Sequence, residues 1–424
     1  MVPYLCTHSY QTNPFIQKTK HMPGFEFFGD EERKEVNDVL ESGVLMRYGF
    51  DGMRNGHYKA KELEQDFAAA MGASYAQVVS NGTSALTVAL ACLGVGSGDE
   101  VIMPTFTFVA SFEAILALGA IPVLCDVDDT LGLNPIAVEN SITCKTKAIM
   151  PVHMCGSMSR LRELKHIADK HNIFLVEDAC QAIGGTFEGK KLGTLGQVGC
   201  FSFDYVKTIT AGEGGALITN DADIAEKAHM FQDHGHDHAG KDRGADKHPF
   251  LGYNYRISEL NAAVAKAQLR KLDTIVAAQQ QNHQILKEVL SSIPEVKFRV
   301  IPEGGVASDA FLNFFLPSAK LAQEVHRSLG ANEVDACFYW FNNNWHYYRK
   351  WEHLIEQNAL YPLNATQQEQ LQQNNRTFQD SDYWISRTIS CLIKGKWTPK
   401  ETKQRAKKMK SVIKSVLAEH AETV

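Results

Sequence analysis

A lysine set in a polar, glycine-rich loop between two strand-like runs needs a physical reason, and Lys207 has that setting in SFDYVKTITAGEGGALITND. Taken alone it reads as a surface loop cation, the commonest fate of a lysine. Its chemical alternative is an amine held against a carbonyl cofactor, where desolvation and a neighbouring cation free the nucleophilic form. The second reading is favoured by what stands 29 residues earlier, Asp178, at the carboxyl end of the apolar run IFLVED. An α/β sheet opens its ligand crevice at such strand ends. Paired with a pyridine nitrogen, the carboxylate would keep a pyridoxal ring protonated and so make it an electron sink. By itself Asp178 could equally be a magnesium ligand or a helix cap.

Two further segments complete the constellation. In SNGTSAL a strand runs through Gly82 into a helix starting near Thr83 and Ser84. Helix-start amides and two hydroxyls suit a phosphate, and glycine allows close approach. The same letters are also good capping chemistry, so the motif is weak alone. One strand later PTFTFVAS offers Phe106 and Phe108 as faces for a flat ring, although either would more often be core.

The elements that must position these residues follow from hydrophobic period. From residue 30 amphipathic helices alternate with short apolar strands, which predicts a mostly parallel sheet covered by helices. Asp30 is expected to cap the first helix, with Val36, Val39 and Leu40 on its packing face and Gly43 as its stop. Leu63, Phe67 and Met71 mark the next helix, which stops at Gly72. A long helical pattern from Ile257 through Leu290 reads as a connector. After it KFRVIP, FLNFFLP and ACFYWF alternate with helices, and Thr398-Pro399-Lys400-Glu401 is a capping box with proline in the first turn. The expected organisation is an N-terminal extension over 1–22, a large α/β cofactor domain over 23–275 and a smaller α+β domain over 276–424.

Composition narrows the function classes. The chain has 424 residues, 44% hydrophobic and 22% charged, within the ordinary globular range. No segment approaches a membrane span, and the start has no secretory pattern, so a cytoplasmic protein is expected. A net charge of -6 with mixed signs offers no basic stripe for nucleic acid. Nine scattered cysteines without a C-x-x-C pair argue against a disulfide framework or a structural metal.

Two more stretches carry distinctive chemistry. DHGHDHAGKDRGADKHP packs His234, His236 and His238 together; no third-ligand spacing for a metal is evident, and a flexible substrate-side loop is the better reading. Its Lys241, Arg243 and Lys247 suit an anionic substrate as well as they suit a solvated surface. CFYWFNNNWHYYRKW mixes Trp340, Asn343, Asn344, Trp345 and His346, the aromatic and amide groups of a carbohydrate site, while domain packing is an equally good home for the tryptophans.

Taken in order, these segments resemble the DegT/DnrJ-type sugar aminotransferases, of the aspartate-aminotransferase-like fold type I, over roughly residues 23 to 415. The resemblance implies a seven-stranded type of sheet and pyridoxal 5'-phosphate as cofactor. It implies that Lys207 carries the cofactor as a Schiff base, Asp178 pairs with the pyridine nitrogen, Phe108 stacks on the ring and Gln181 lies beside the phenolic oxygen. Thr83, Ser84 and Ser202 would hold the phosphate, with Asn254 reaching it from the other subunit of a homodimer. Some relatives carry histidine instead of the lysine and remove a sugar hydroxyl; lysine here points to amino transfer. Asp204 stands where members often have histidine, as either a structural or a tuning residue. The two distinctive stretches, with VHMCGSM and SFDYVKTIT, look like those of members acting on an eight-carbon acidic sugar of lipopolysaccharide. That implies glutamate as donor and the terminal aldehyde (C8) of a 3-deoxy-octulosonate-type sugar as acceptor, giving 8-amino-3,8-dideoxy-manno-octulosonate. His236, Lys241, Arg243, Trp340 and Asn344 are then the candidate substrate residues. A nucleotide-linked keto sugar is the alternative acceptor, and a non-enzymatic regulator holding the cofactor is the rival of another class.

Overall fold

The computed structural model describes residues 23–240, 243–356, 358–360, 362–374 and 376–423, so the expected extension over 1–22 lies outside the described residues. Helix α1 (Asp30–Ser42) is capped by Gly29 and not by Asp30: Glu32 reaches back to accept the Gly29 N–H at 2.7 Å, which leaves Asp30 in the first turn. Its buried face also differs from expectation. Glu32, Glu35 and Val39 point inward while Leu40 is exposed, because Lys271, Lys59 and Arg270 meet the two carboxylates from other elements. Helix α2 (Lys59–Met71) buries Leu63, Phe67 and Met71 as its period predicts, and both helices stop at left-handed glycines, Gly43 and Gly72.

Seven strands form the large sheet: β1 (Tyr75–Val79), β2 (Glu100–Pro104), β3 (Ile121–Cys125), β4 (Thr146–Ile149), β5 (Phe174–Asp178), β6 (Val198–Ser202) and β7 (Gly215–Thr219). Their order across the sheet is β1-β7-β6-β5-β4-β2-β3, and β7 alone runs antiparallel to its neighbours. Helices α3 (Gly82–Cys92), α4 (Ala110–Leu116) and α5 (Leu161–His171) cover it. Such a sheet, buried on both faces, needs near-continuous apolar strands, and β2, β3 and β7 are buried at every position. On one side Phe67 of α2 packs edge-on against Phe201 and Phe203 at 5.1 and 5.4 Å, contacts worth about 0.5–1.5 kcal/mol each beyond their area.

The long connector is two helices, α6 (Glu259–Leu269) and α7 (Leu272–Leu290). The first packs on α1 and α2 and the second on the C-terminal helix, so one straight rod could not serve both. Arg270 and Lys271 mark the turn, bonded back to Glu35 at 2.8 Å and Glu32 at 2.7 Å. The small sheet joins β8 (Lys297–Phe298), β9 (Phe311–Phe315), β10 (Cys337–Phe338) and β11 (Thr388–Leu392), all antiparallel, in the order β8-β9-β11-β10. Helices α8 (Ala319–Ala331) and α9 (Pro399–Thr423) close it, α9 beginning at the expected box, where Thr398 and Glu401 exchange hydrogen bonds. The chain does not divide at one point. Helix α7 spans residue 275, and Trp340, Tyr347, Trp351, Phe378 and Ile385 return to the core of the large sheet.

Candidate active site

Lys207 sits on the β6–β7 loop, at the rim of a cavity of about 600 Å³ that also takes in Asp178, Thr83, Phe108, Gln181 and Ser202. The loop's shape is built by its own polar groups. Asp204 accepts the Val206 N–H at 3.1 Å through its side chain and the Lys207 N–H at 3.0 Å through its carbonyl, which gives it a turn-forming role. Gly24 donates to the Lys207 carbonyl at 3.1 Å. The lysine amine itself has no hydrogen-bond or ion-pair partner among the described residues, and it is half-buried.

Asp178 ends β5 and is 4% exposed. Its oxygens accept from Ser111 Oγ at 2.8 Å and from the Cys180 N–H at 3.2 Å, and Ser111 Oγ is in turn 2.7 Å from Thr107 Oγ1. A carboxylate has room for about four hydrogen bonds, so this buried side chain is left with capacity that a protonated ring nitrogen would fill. Ser111 was not singled out from the sequence; its only signal there is the Thr107/Ser111 spacing at the start of a helix. Behind Asp178, Glu177 is completely buried and accepts from His153 at 3.0 Å and from the N–H groups of Gly193, Leu195 and Gly196 at 2.8, 2.6 and 2.8 Å. Burial pushes this carboxyl upward, but His153 and the backbone donors outweigh it and hold Glu177 below the usual carboxylate range.

At the start of α3 the cavity wall is set by Gly82. A Cβ there would lie 2.8 Å from Ser202 Cβ and 3.2 Å from Cys180 Sγ, so only glycine lets β6 approach the start of α3. Asn81 caps that helix, accepting the Ser84 N–H at 2.8 Å. Thr83 faces the cavity, whereas the Ser84 hydroxyl is buried against Ser80 Oγ at 3.0 Å and borders an adjoining hollow. Gln181 accepts the Cys155 N–H at 3.1 Å, which leaves its amide NH2 free. Neither nearby thiol competes with Lys207 as nucleophile: burial pushes Cys155 up to about 11 and Cys180 well above its ordinary value.

The opposite wall comes from the small domain. Phe108 meets Trp345 and His346 at 5.7 and 5.4 Å between ring centres, and His346 lies 4.5 Å from Trp340. Backbone bonds from Thr107 to His346 (3.0 Å), Val109 to Trp345 (2.8 Å) and Tyr348 to Thr105 (3.2 Å) zip the two segments together. Trp340 and Asn343 border the cavity, while Asn344 is exposed and outside it.

The histidine-rich loop is folded rather than loose. Arg243 and Arg256 converge on the fully buried Asp233, His238 stacks on Tyr48 at 4.4 Å, and His236 lies 3.4 Å from Asp246. His236 and Arg243 therefore have partners away from this chain's own cavity, and Lys241 lies outside the described residues. Asn254 is exposed, bridged to Asp233 through its backbone, and also away from that cavity.

With this geometry in view, residues 27–371 match the DegT/DnrJ/EryC1/StrS aminotransferase family. The chain belongs to this family. It is 36% identical over 340 residues to a GDP-perosamine synthase of Vibrio cholerae, covering 78% of this chain and 87% of that protein. It is 38% identical over 292 residues to a 3-amino-5-hydroxybenzoate synthase of Amycolatopsis mediterranei, covering 68% and 72%. Among solved structures, 3-amino-5-hydroxybenzoic acid synthase superposes with a TM-score of 0.78 at 28% identity, over 93% of this chain and 99% of that one. An aminotransferase from Psychrobacter cryohalolentis gives 0.78 at 26% identity, over 92% and 98%. The fold is thus that of the fold-type-I aminotransferases, and family members use pyridoxal phosphate, which the unpaired lysine, the under-bonded carboxylate and the Gly82 cradle fit. No described helix is long and apolar enough to cross a membrane.

Proposed function

We propose that this family member moves an amino group from glutamate to the carbonyl of a sugar, with Lys207 as its proton carrier. The observation that carries the reading is the unpaired Lys207 amine in one cavity with the buried, under-bonded Asp178. Pyridoxal phosphate, when bound, supplies an electron-withdrawing ring that makes the C–H beside the transferred amine acidic. Lys207 would be the base that takes that proton and gives it back on the far side of the transferred nitrogen. Asp178, held by Ser111 and the Cys180 N–H, keeps the proton on the ring nitrogen. Thr83 and Ser202 would hold the phosphate at the start of α3, with the Ser84 hydroxyl turned away toward Ser80, while Phe108 would lie against the ring and Gln181 would offer its NH2 to the phenolic oxygen. Asn254 acts from a second copy of the chain; the hollow of about 570 Å³ that adjoins the cavity at Thr83 leaves an entry for it.

For the acceptor, the terminal aldehyde of a 3-deoxy-octulosonate-type sugar is supported by the aromatic and amide wall that Trp340 and Asn343 give the cavity. A nucleotide-linked keto sugar is the second reading, and the relatives support it better: several are GDP-perosamine synthases. The relatives also include a 3-amino-5-hydroxybenzoate synthase and an L-glutamine:2-deoxy-scyllo-inosose aminotransferase, named for compounds without a nucleotide. Substituting Lys207→Ala should abolish the visible absorbance of the loaded protein and halt turnover, and a fully active variant would overturn the assignment. Mixing the loaded protein with 8-amino-3,8-dideoxy-manno-octulosonate or with GDP-perosamine decides the acceptor: the product amine that bleaches the absorbance identifies it.

A further inference from the structure

His346 stands where a substrate must pass, and its protonation can be worked out from its neighbours. Asn343 Oδ1 accepts the Trp345 backbone N–H at 2.9 Å, and a backbone amide can only donate. The carbonyl end of the Asn343 amide is therefore the end turned toward the imidazole. The same oxygen lies 2.9 Å from His346 Nδ1, so Nδ1 must carry the hydrogen. In a neutral ring this leaves Nε2 as a bare lone pair. Neutrality is secured by burial, which pushes His346 down to about 3, with the Lys207 cation acting in the same direction. Nε2 has no partner among the described residues, and the ring borders the cavity.

We propose that His346 is a specificity residue for the amino acceptor, its fixed Nε2 lone pair receiving a hydrogen bond from a sugar hydroxyl near the reacting carbonyl. The assignment rests on the sugar aminotransferase reading above. A neutral acceptor nitrogen has nothing to offer a carboxylate except repulsion, so it serves the hydroxyl-rich acceptor and not the carboxylate groups of glutamate. Asn343 is the positioning residue that sets the tautomer. Trp340 and Phe108 pack against the ring at tilts of 53° and 56°, which limits its rotation and so the direction of the lone pair.

The test separates the two half-reactions in stopped flow, following the cofactor's absorbance. Glutamate drives one half; 8-amino-3,8-dideoxy-manno-octulosonate or GDP-perosamine, whichever the wild type accepts, drives the acceptor half in reverse. If neither amino sugar reacts with the wild type, the functional reading itself fails. If one does, His346→Phe should weaken the sugar half-reaction about tenfold or more relative to the glutamate half-reaction, because a substrate hydroxyl is left without its partner. His346→Gln, which restores a side-chain acceptor, should recover most of that ratio. The glutamate half-reaction in the same sample controls for misfolding. Equal loss in both halves, or a ratio unchanged within threefold, would overturn the proposal.

Discussion

Replacing Gly82 by alanine is a sharp test of the cofactor cradle, because the cost can be worked out atom by atom. The new Cβ would meet Ser202 Cβ at 2.8 Å and both Ser202 Oγ and Cys180 Sγ at 3.2 Å. Carbon atoms rest at about 3.5–4.0 Å, so relief takes roughly 1 Å of separation between the end of β6 and the start of α3. Overpacking of this kind costs about 1–3 kcal/mol, and the helical preference of alanine over glycine offsets up to about 1 kcal/mol of it. Global stability should therefore fall by no more than about 3 kcal/mol. The larger effect is on the phosphate, whose donors are carried by the two elements that are pushed apart. Losing one charge-assisted hydrogen bond costs about 1.5–3 kcal/mol, which weakens cofactor binding roughly 10- to 100-fold. Titrating the cofactor-free protein with pyridoxal phosphate and following the visible absorbance measures this directly, with urea unfolding of the same samples as the stability control. A dissociation constant within twofold of wild type, at unchanged stability, would refute the idea that Gly82 exists to let strand and helix converge on a phosphate.

Three other outcomes are expected. Ser111→Ala should leave Asp178 with one donor fewer and make the ring nitrogen easier to deprotonate, seen as a displaced pH midpoint in the spectrum of the loaded protein, whereas Ser111→Thr should restore the wild-type midpoint. Glu177→Gln puts a neutral amide where three backbone N–H groups and His153 expect an anion, and should cost about 3–5 kcal/mol in denaturant unfolding, as breaking a buried charge network does. The third concerns pH. Burial, helped by the Arg47 cation, pushes His229 down to about 4, so the folded chain stays neutral at a site that the unfolded chain protonates below about 6.5. The unfolded state then holds the extra proton, and stability should fall as pH drops from about 6.5 toward 4, by up to about 1.4 kcal/mol per pH unit. His229→Gln should flatten that slope in melts collected across the window, and an unaltered slope would count against the assignment.

The cofactor side of the site was readable in the sequence because each part is a short local string at the end of a strand: SNGTSAL, VEDACQ and SFDYVK each fold into one strand–loop unit. What the sequence did not disclose depends on contacts between distant segments. Ser111 meets Asp178 across 67 positions, and Thr105 meets Ser381 across 276. Helical period placed Leu40 on a packing face, but the ion pairs of Glu32 and Glu35 rotated the helix to bury carboxylates instead. The same pairs broke the Ile257–Leu290 pattern at Arg270 and Lys271. In the histidine-rich loop, composition alone reads as a solvated charged segment; the buried Asp233 that organises it is one acidic residue among several in the string. Trp340 borders the cavity and Asn344 lies outside it, because the turn that exposes Asn344 is fixed by Asn343 bonding onward to Trp345 and His346.

The zipped segment opposite Phe108 bears on how reactants enter and leave. An amino donor and an acceptor must visit the cavity of an aminotransferase in turn, and in many enzymes such traffic waits for a domain to swing. Here backbone bonds of Thr107, Val109 and Tyr348 tie the stretch that follows β10 to the loop after β2, and Trp340, Tyr347 and Tyr348 on that stretch are rooted in the core of the large sheet. Both segments frame the mouth, so the stretch from Trp340 to His346 is the place to recut when a different acceptor is to be admitted.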